Sequence, residues 1–290
     1  MNWIEGIDTI SGLLHEASEA GEHPRTPRLR TSSSIGEGLG TFASINEWID
    51  ESEKRFSRLV LAAEEIPDRF ILGRWRAAYS VGGVDRRPSL SNLLSLLRQA
   101  KGNETGWAPW WVPDRDGLAP YSFEGVVECW MAEDSYFQDP AHSDFWRASP
   151  TGSLYLTRGY QEDSDAERTR PGTILDVALP VWRVGECLLH ASRLARLLQA
   201  TDEIVFHFAW FGLAGRTLYD WASHQDFLLS QERSQTNEVV ATATFSGAEV
   251  ESGLDVLVAN LVQPLYDAFL FEPPHAFVQA ELDILRRGRV

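Results

Sequence analysis

Residues 180–211 read PVWRVGECLLHASRLARLLQATDEIVFHFAWF and combine two distinct hydrophobic patterns. Pro180 suits the first turn of a helix, and the apolar residues after it recur every three or four positions along one face. The residues of that face are Val181, Val184, Leu188, Ala191, Ala195 and Leu198. From Glu203 to Phe211, large residues alternate with small or polar ones at period two, as in a strand. The stretch therefore predicts a long helix followed by a strand.

The chain that follows continues with strand and helix patterns. Residues 217–230 and 238–245 both suit strands, and with the preceding strand they predict an antiparallel meander. Ser246 and Glu249 have the spacing of a capping box and predict the start of a helix. Pro264 is expected to kink that helix, and one more helix is predicted after it.

The chain that precedes the long helix carries helices and strands in mixed order. Ser44 and Glu47 also have capping-box spacing and predict a helix that runs to Pro67. Strands are predicted over residues 70–80, 123–131 and 153–160, and a short helix over 90–97. The charged stretch QEDSDAERTRPG at 161–172 is predicted to be a solvated loop. Over the whole chain, helices at both ends with runs of strands between them predict an α+β fold, in which helices pack an antiparallel sheet, rather than a repeating βαβ order.

The predicted organisation has two parts. Residues 1–65 form a helical N-terminal segment, which contains an amphipathic helix over 2–20 and a flexible linker over 21–40. Prolines, serines and glycines break any regular period in that linker. Residues 66–290 form the α+β domain.

Composition and charge limit the functional classes. The chain has 290 residues, 43% of them hydrophobic, which is enough to bury a substantial core. Its 42 acidic residues outnumber 26 basic ones, and the net charge of -16 disfavours broad binding to nucleic acid or anionic lipid. Cys129 and Cys187 are too few for a disulfide framework, and neither a signal peptide nor a membrane span is recognisable. These features predict a cytoplasmic protein.

Motifs for catalysis and metal binding are absent or incomplete. No lysine lies in a P-loop, and no G-x-S-x-G elbow occurs. Glu19 stands where a zinc-protease helix starting at His15 needs its second histidine, and the alternating acids at 163–167 lack the glycine of a calcium loop. Cys187 and His190 lie one helical turn apart, but their apolar neighbours favour core packing. No cofactor or metal is predicted.

Aromatic and arginine side chains are concentrated in the middle of the chain. Planar rings beside guanidinium groups recur where flat ligands, nucleobases or protein hot spots are bound. The candidate ligand-binding or partner-binding residues are Trp110, Trp111, Trp146, Arg147, Arg158, Tyr160, Trp182, Arg183 and Arg216. The alternative is that the tryptophans fill a core and the arginines pair with buried carboxylates. For Arg216, which closes the segment GLAGR at 212–216, the choice is between an anion-binding loop and a β-turn paired to a surface carboxylate.

Several phrases also point to a known family. They are GWAPWWVP, DFWRASPTGSLYLTRGYQED, PGTILDVALPVWRVGECLLHASRLA, WFGLAGRTL and VQPLYDAFLFEPPHAFVQAEL, dispersed over residues 66–290. Together they resemble the region that follows a Schlafen/AlbA-type DNA-binding domain in bacterial proteins described as ATP-binding or transcription-regulator-like. Residues 1–65 contain no stretch that resembles the AlbA-type domain itself. The resemblance implies a partner-binding or sensing module, in a bacterial regulatory or defence complex, more than an enzyme.

Three functional hypotheses remain open. The favoured one is a non-catalytic module that engages a protein partner or a planar or anionic ligand such as a nucleotide. The second is a metal-dependent nuclease or phosphodiesterase, in which some of Glu128, Glu133, Asp163 and Glu186 hold a divalent ion. The third is nucleic-acid binding through a local arginine patch, which the overall negative charge disfavours.

Overall fold

A computed structural model describes residues 38–63, 72–102, 104–105, 108–114, 117–131, 144–223 and 227–287. In chain order these residues form α1 (Gly38–Ala62), β1 (Arg74–Val81), α2 (Leu90–Ala100), β2 (Tyr121–Phe123), β3 (Val126–Trp130), β4 (Asp144–Ala148), β5 (Ser153–Gly159), β6 (Ile174–Asp176), α3 (Leu179–Leu197), β7 (Ile204–Phe211), β8 (Thr217–Asp220), β9 (Phe227–Arg233), β10 (Glu238–Phe245), α4 (Gly247–Ser252), α5 (Leu254–Asp267) and α6 (His275–Arg287). The predicted helix over 2–20 and most of the predicted linker lie outside the described residues. Within the described ranges, no helix is both long and apolar enough to cross a membrane.

Seven strands form one antiparallel sheet in the order β10-β7-β1-β5-β4-β3-β2. A small second sheet has the order β6-β8-β9, with β6 parallel to β8 and β8 antiparallel to β9. The architecture confirms the predicted α+β fold with an antiparallel sheet packed by helices.

Helices cover both faces of the large sheet, because alternate side chains of a strand point to opposite sides. On one face, Tyr79 and Phe206 belong to the main core, which α2, α3, α5 and α6 complete. On the other face, α1 lies across the sheet, and its Ile45 and Ile49 pack against strand residues. The periodic helix predicted from Pro180 is confirmed as α3, whose apolar face is buried in the main core.

Three strand predictions need correction. The predicted strand over 123–131 is a hairpin of β2 and β3, because the backbone turns at Glu124 and Gly125, where φ is 48° and 81°. The predicted strand over 217–230 is two strands, β8 and β9, and both belong to the small sheet. The predicted meander is therefore wrong, since β10 pairs directly with β7. Strands β4 and β6 were not predicted.

Two helix predictions also change in detail. Helix α1 begins at Gly38, upstream of the predicted start at Ser44, so the end of the predicted linker is helical. The capping box after β10 is confirmed, since Ser246 Oγ accepts from the Glu249 N–H and Glu249 Oε2 accepts from the Ser246 N–H. The helix that it starts ends before Gly253, and α5 then forms a separate helix with Pro264 inside it.

Candidate functional site

The predicted tryptophan and arginine residues are divided between the two faces of the large sheet. Trp146 and Arg147 are neighbours on β4, so their side chains point to opposite sides. Trp146 is buried in the main core, and its Nε1–H donates to the Trp111 carbonyl at 2.9 Å. Arg147 lies under α1, with its Nε 3.2 Å from Glu128 Oε2 and its guanidinium carbon 4.9 Å from the Trp48 ring centre. The nine residues thus do not meet at one place.

Arg158 is buried and paired across the sheet. It faces Asp144 on the neighbouring strand, and its Nε and Nη2 each donate to one Asp144 carboxylate oxygen at 2.6 Å. Its guanidinium carbon lies 5.5 Å from the centre of the Trp75 ring. A bidentate pair of this kind neutralises the arginine inside the fold. The contacts of Arg158 therefore match the alternative in which the arginines pair with buried carboxylates.

Arg216 is fully buried and uses all five of its N–H groups within the chain. It donates to both carboxylate oxygens of Asp163, at 3.0 and 2.6 Å. Its remaining N–H bonds go to the backbone carbonyls of Leu72, Gly212 and Ile174. Because a guanidinium has five donors, none remains for a bound anion. The turn interpretation of this segment fits, but the carboxylate is buried instead of lying on the surface.

The prediction of a solvated loop over residues 161–172 is wrong at the start of that stretch, where two acidic side chains are buried. Residues Gln161–Ser164 form a 3-10 turn in which Glu162 and Asp163 are buried. Asp163 pairs with Arg216, and Glu162 Oε1 accepts the Asp176 N–H at 2.9 Å. A cation from a distant part of the chain therefore compensates one of these acids.

Trp110 belongs to a buried polar and aromatic group. Its ring stacks on His190 with centres 4.8 Å apart, and its Nε1–H donates to the Tyr155 carbonyl. His190 Nδ1 lies 2.9 Å from the Tyr79 hydroxyl, and burial lowers the pKa of His190 to about 3. Cys187 is buried nearby, and burial raises the pKa of its thiol. Core packing of Cys187 is confirmed, and no activated thiol results.

Three of the nine predicted residues meet in a small hollow. Its lining includes Arg158, Tyr160, Arg183, Glu162, Trp75 and Trp210. The cavity volume is about 20 Å³, which accommodates a single water molecule. Arg183 is bonded to Thr105, Gln161 and Glu186 at the edge of this hollow. The hollow is too small for a flat ring, so any larger ligand would require the surrounding side chains to move.

Trp111 and Trp182 are half-buried and pack against the main core. The Trp182 Nε1–H donates to Glu281 Oε2 at 2.7 Å. This bond lowers the pKa of Glu281, but burial raises it more, so that the value is about 7. Trp111, Trp182 and Arg183, whose side chain is 12% exposed, are the partly exposed members of the predicted set.

Buried acids are a feature that the sequence does not reveal. Burial, together with the nearby Asp176 and Asp163, raises the pKa of Glu162 to about 8. Burial also raises the pKa of Asp176 to about 6, although the carboxylate accepts hydrogen bonds from four backbone N–H groups, which lower the pKa. Those donors are Ala178, Leu179, Trp221 and Ala222. Asp176 thereby ties the start of α3 to the end of β8.

The carboxylates proposed for a divalent ion do not come together. Glu128 pairs with Arg55 and Arg147 under α1, whereas Asp163 pairs with Arg216. Glu186 pairs with Arg183, and Glu133 lies outside the described residues. Among the described residues, no group of three or more histidine, cysteine or acidic side chains is placed to hold a metal ion.

A groove of ligand size lies elsewhere, between α2 and the end of α3. Its volume is about 590 Å³, within the range of pockets that bind small molecules or peptide side chains. It is lined by Arg86, Arg87, Pro88, Ser89, Asn92, Leu96, Leu197, Leu198 and Gln199. The Ser89 hydroxyl caps α2 by accepting the Asn92 N–H, which fixes the start of that helix beside the groove.

Arg86 and Arg87 are exposed at this groove and form no ion pair within the described ranges. Asp85, their neighbour in sequence, pairs with neither of them. By contrast, other arginines of α2 and α3 have carboxylate partners: Arg98 pairs with Asp114, Arg193 with Glu104 and Arg196 with Glu251. The sequence signal is weak, since DRRPSL resembles any charged turn before a helix.

Comparison with known proteins gives no information on what this groove binds. One of the phrases that carry the resemblance contains DFWRA, which forms β4. All five residues of β4 are buried, so packing inside the fold explains why these residue types occur there. The resemblance to the region after a Schlafen/AlbA-type domain stays a prediction. Comparisons with models of protein families, with curated proteins and with solved structures give no match to this chain.

Proposed function

We propose that this chain is a non-catalytic binding module that engages an acidic segment of a protein partner in the groove between α2 and α3. The observation that carries the proposal is the pair of exposed arginines, Arg86 and Arg87, without an ion-pair partner in the described part of the chain. Guanidinium groups bind carboxylates in planar, bidentate geometry. In a chain with a net charge of -16, such a pair creates a local attraction for anions.

The other wall of the groove favours a polypeptide. Leu96 and Leu197 are half-buried there, and Leu198 lies at the base. Protein interfaces commonly combine an apolar anchor in a pocket with charged groups at the rim. A partner segment with an acidic residue next to a leucine-like residue fits both walls.

A nucleotide or other planar ligand fits this groove less well. Nucleobases are commonly held by stacking on aromatic rings, and the groove lining contains none. The aromatic residues of the predicted set are buried, as are Trp110 and Trp146, or packed against the main core, as are Trp111 and Trp182. The module is therefore assigned to a protein partner, and we place it in the cytoplasm on the sequence argument from its two cysteines.

The hydrolase alternative has less support from the geometry. Glu128, Asp163 and Glu186 are each committed to arginines at different places in the fold. Direct nucleic-acid binding is also less well supported, because Arg147, Arg158 and Arg216 are buried. The nucleic-acid alternative becomes one arm of the binding experiment.

The test is a titration of the chain into a fluorescein-labelled peptide of alternating glutamate and leucine, followed by anisotropy. We expect the double variant Arg86→Glu/Arg87→Glu to weaken binding at least about tenfold, since both cationic contacts become repulsive. A peptide with lysine for glutamate and a single-stranded DNA of similar charge serve as alternative probes and are expected to bind more weakly.

The control variant is Lys54→Glu/Arg58→Glu, which changes net charge equally on the exposed side of α1. We expect its affinity for the peptide to stay within about twofold of the parent, because the change in net charge is its one expected effect on binding. Equal losses in both double variants would show that only bulk charge matters. Unchanged binding in Arg86→Glu/Arg87→Glu, or preferred binding of the DNA, would overturn the proposal.

A further inference from the structure

The two edges of the seven-stranded sheet differ in length. At one edge, β2 has 3 residues, and a strand this short offers little to pair with. At the other edge, β10 has 8 residues and pairs with β7 along its whole length without a bulge. A long, regular edge is the kind that proteins usually protect.

Strand β10 lacks the usual protection of an edge. Its sequence, EVVATATF, contains no proline, lysine or arginine, and Glu238 at its start is its one charged residue. Val240 is 43% exposed, and Thr242 is exposed on the same side of the sheet. In the part of the chain that the structure describes, the backbone groups of β10 that point away from β7 have no hydrogen-bond partner. Such a row of donors and acceptors is a template for another strand.

We propose that β10 pairs in antiparallel fashion with β10 of a second copy of this chain, which makes a two-fold dimer with one continuous sheet. The self-complementary edge favours a second copy as the occupant, and the position of Glu238 favours the antiparallel direction. In a parallel pair, Glu238 of one copy would lie beside Glu238 of the other, whereas antiparallel pairing sends the two carboxylates to opposite ends. The interface is therefore self-complementary, as a two-fold contact requires.

The side chains also suit this arrangement. Val240 and Thr242 point to the same face of the sheet, because they are two positions apart. When pairing is centred on Ala241, Val240 of one copy lies opposite Thr242 of the other, and the symmetry repeats the contact. Opposed β-branched residues of this kind stabilise strand pairs. This edge is distinct from the groove, since none of the residues that line the groove lies on β10.

A pairing of two strands buries a modest area, so the dimer is expected to be weak. Its test is the mass of the full chain by multi-angle light scattering from about 1 µM to about 100 µM, a range that covers weak association. We expect the mass to rise from one chain toward two across this range. A parent chain that stays monomeric throughout would overturn the proposal. So would protection from hydrogen exchange, already in the monomer, of those β10 amides that point away from β7.

Two charge variants test the register. In Val240→Lys/Thr242→Lys, like charges face each other across the two-fold axis, and the dimer should be lost. In Val240→Lys/Thr242→Glu, opposite charges face each other, and the dimer should return. The two variants differ at one residue, and circular dichroism of each checks folding.

The control is Val256→Lys, on an exposed apolar residue of α5, and it should leave the mass unchanged. A dimer that persists in Val240→Lys/Thr242→Lys would overturn the pairing. So would a failure of Val240→Lys/Thr242→Glu to restore the dimer. None of these results depends on peptide binding in the groove, so the two proposals fail separately.

Discussion

Asp163 and Arg216 form a buried bidentate ion pair that joins the turn after β5 to the turn before β8. Replacing Asp163 by alanine leaves the guanidinium buried without its counter-charge. Removal of one partner from such a pair typically costs about 3–5 kcal/mol. We expect a loss of this size in the free energy of unfolding of Asp163→Ala, measured by urea denaturation.

The exposed pair of Arg98 and Asp114 provides the matched comparison. Asp114 has 85% of its side chain exposed, and exposed pairs contribute under about 1 kcal/mol. The variant Asp114→Ala should therefore unfold almost like the parent. Equal losses in Asp114→Ala and Asp163→Ala would show that the buried pair has no special role.

The stability of the chain should fall as the pH rises from about 6.5 to about 8. Burial raises the pKa of Glu162 to about 8 and that of Glu281 to about 7, whereas an unfolded glutamate has a pKa near 4.3. In this window the folded chain binds more protons than the unfolded chain, so raising the pH favours unfolding. His190 and His207, whose pKa values burial lowers to about 3 and about 4, oppose this mainly below about pH 6.5.

The variant Glu162→Gln isolates one of these acids. Glutamine keeps an oxygen that can accept the Asp176 N–H, but it cannot ionise. Each carboxyl that is protonated only in the fold contributes up to about 1.4 kcal/mol per pH unit. We therefore expect chemical denaturation at a series of pH values to give a shallower slope for Glu162→Gln. A parent chain whose stability is constant or rises between about pH 6.5 and about pH 8 would contradict the assignment.

Both cysteines should be unreactive in the native chain. Cys129 and Cys187 are free and buried, and burial raises the pKa of both thiols. A reactive cysteine needs both exposure and a thiolate. Ellman's reagent at about pH 8 should label neither thiol before denaturation and both afterwards. Rapid labelling of Cys187 in the folded chain would reopen a role for it beside His190.

Local pattern predicted much of the fold but not its long-range pairs. The 3.6-residue period of α3 and the alternation of β7 are visible in the sequence because each pattern reflects one buried face. Strand β4 was missed because Asp144 and Arg147 look like surface residues. They are buried with partners on other elements, namely Arg158 and Glu128.

The candidate site was harder to predict for the same reason. The acids of the turn after β5 look solvated, and only the fold brings Arg216 against Asp163. Trp146 and Arg147 are adjacent in sequence, but strand geometry sends them to opposite faces. Arg86 and Arg87 attract no notice in the sequence. What distinguishes them is that no carboxylate within the described residues pairs with them, which depends on the positions of distant groups.

The most direct measurement for the proposed function is an NMR titration of the arginine Nε–Hε signals with the glutamate–leucine peptide. Signals would be assigned by single Arg→Lys variants. We expect the signals of Arg86 and Arg87 to shift and saturate together, while those of Arg158 and Arg216 stay unchanged because their N–H groups are bonded inside the fold. Shifts at Arg183 without shifts at Arg86 and Arg87, or no shift at any arginine, would contradict the assignment of the groove as the binding site.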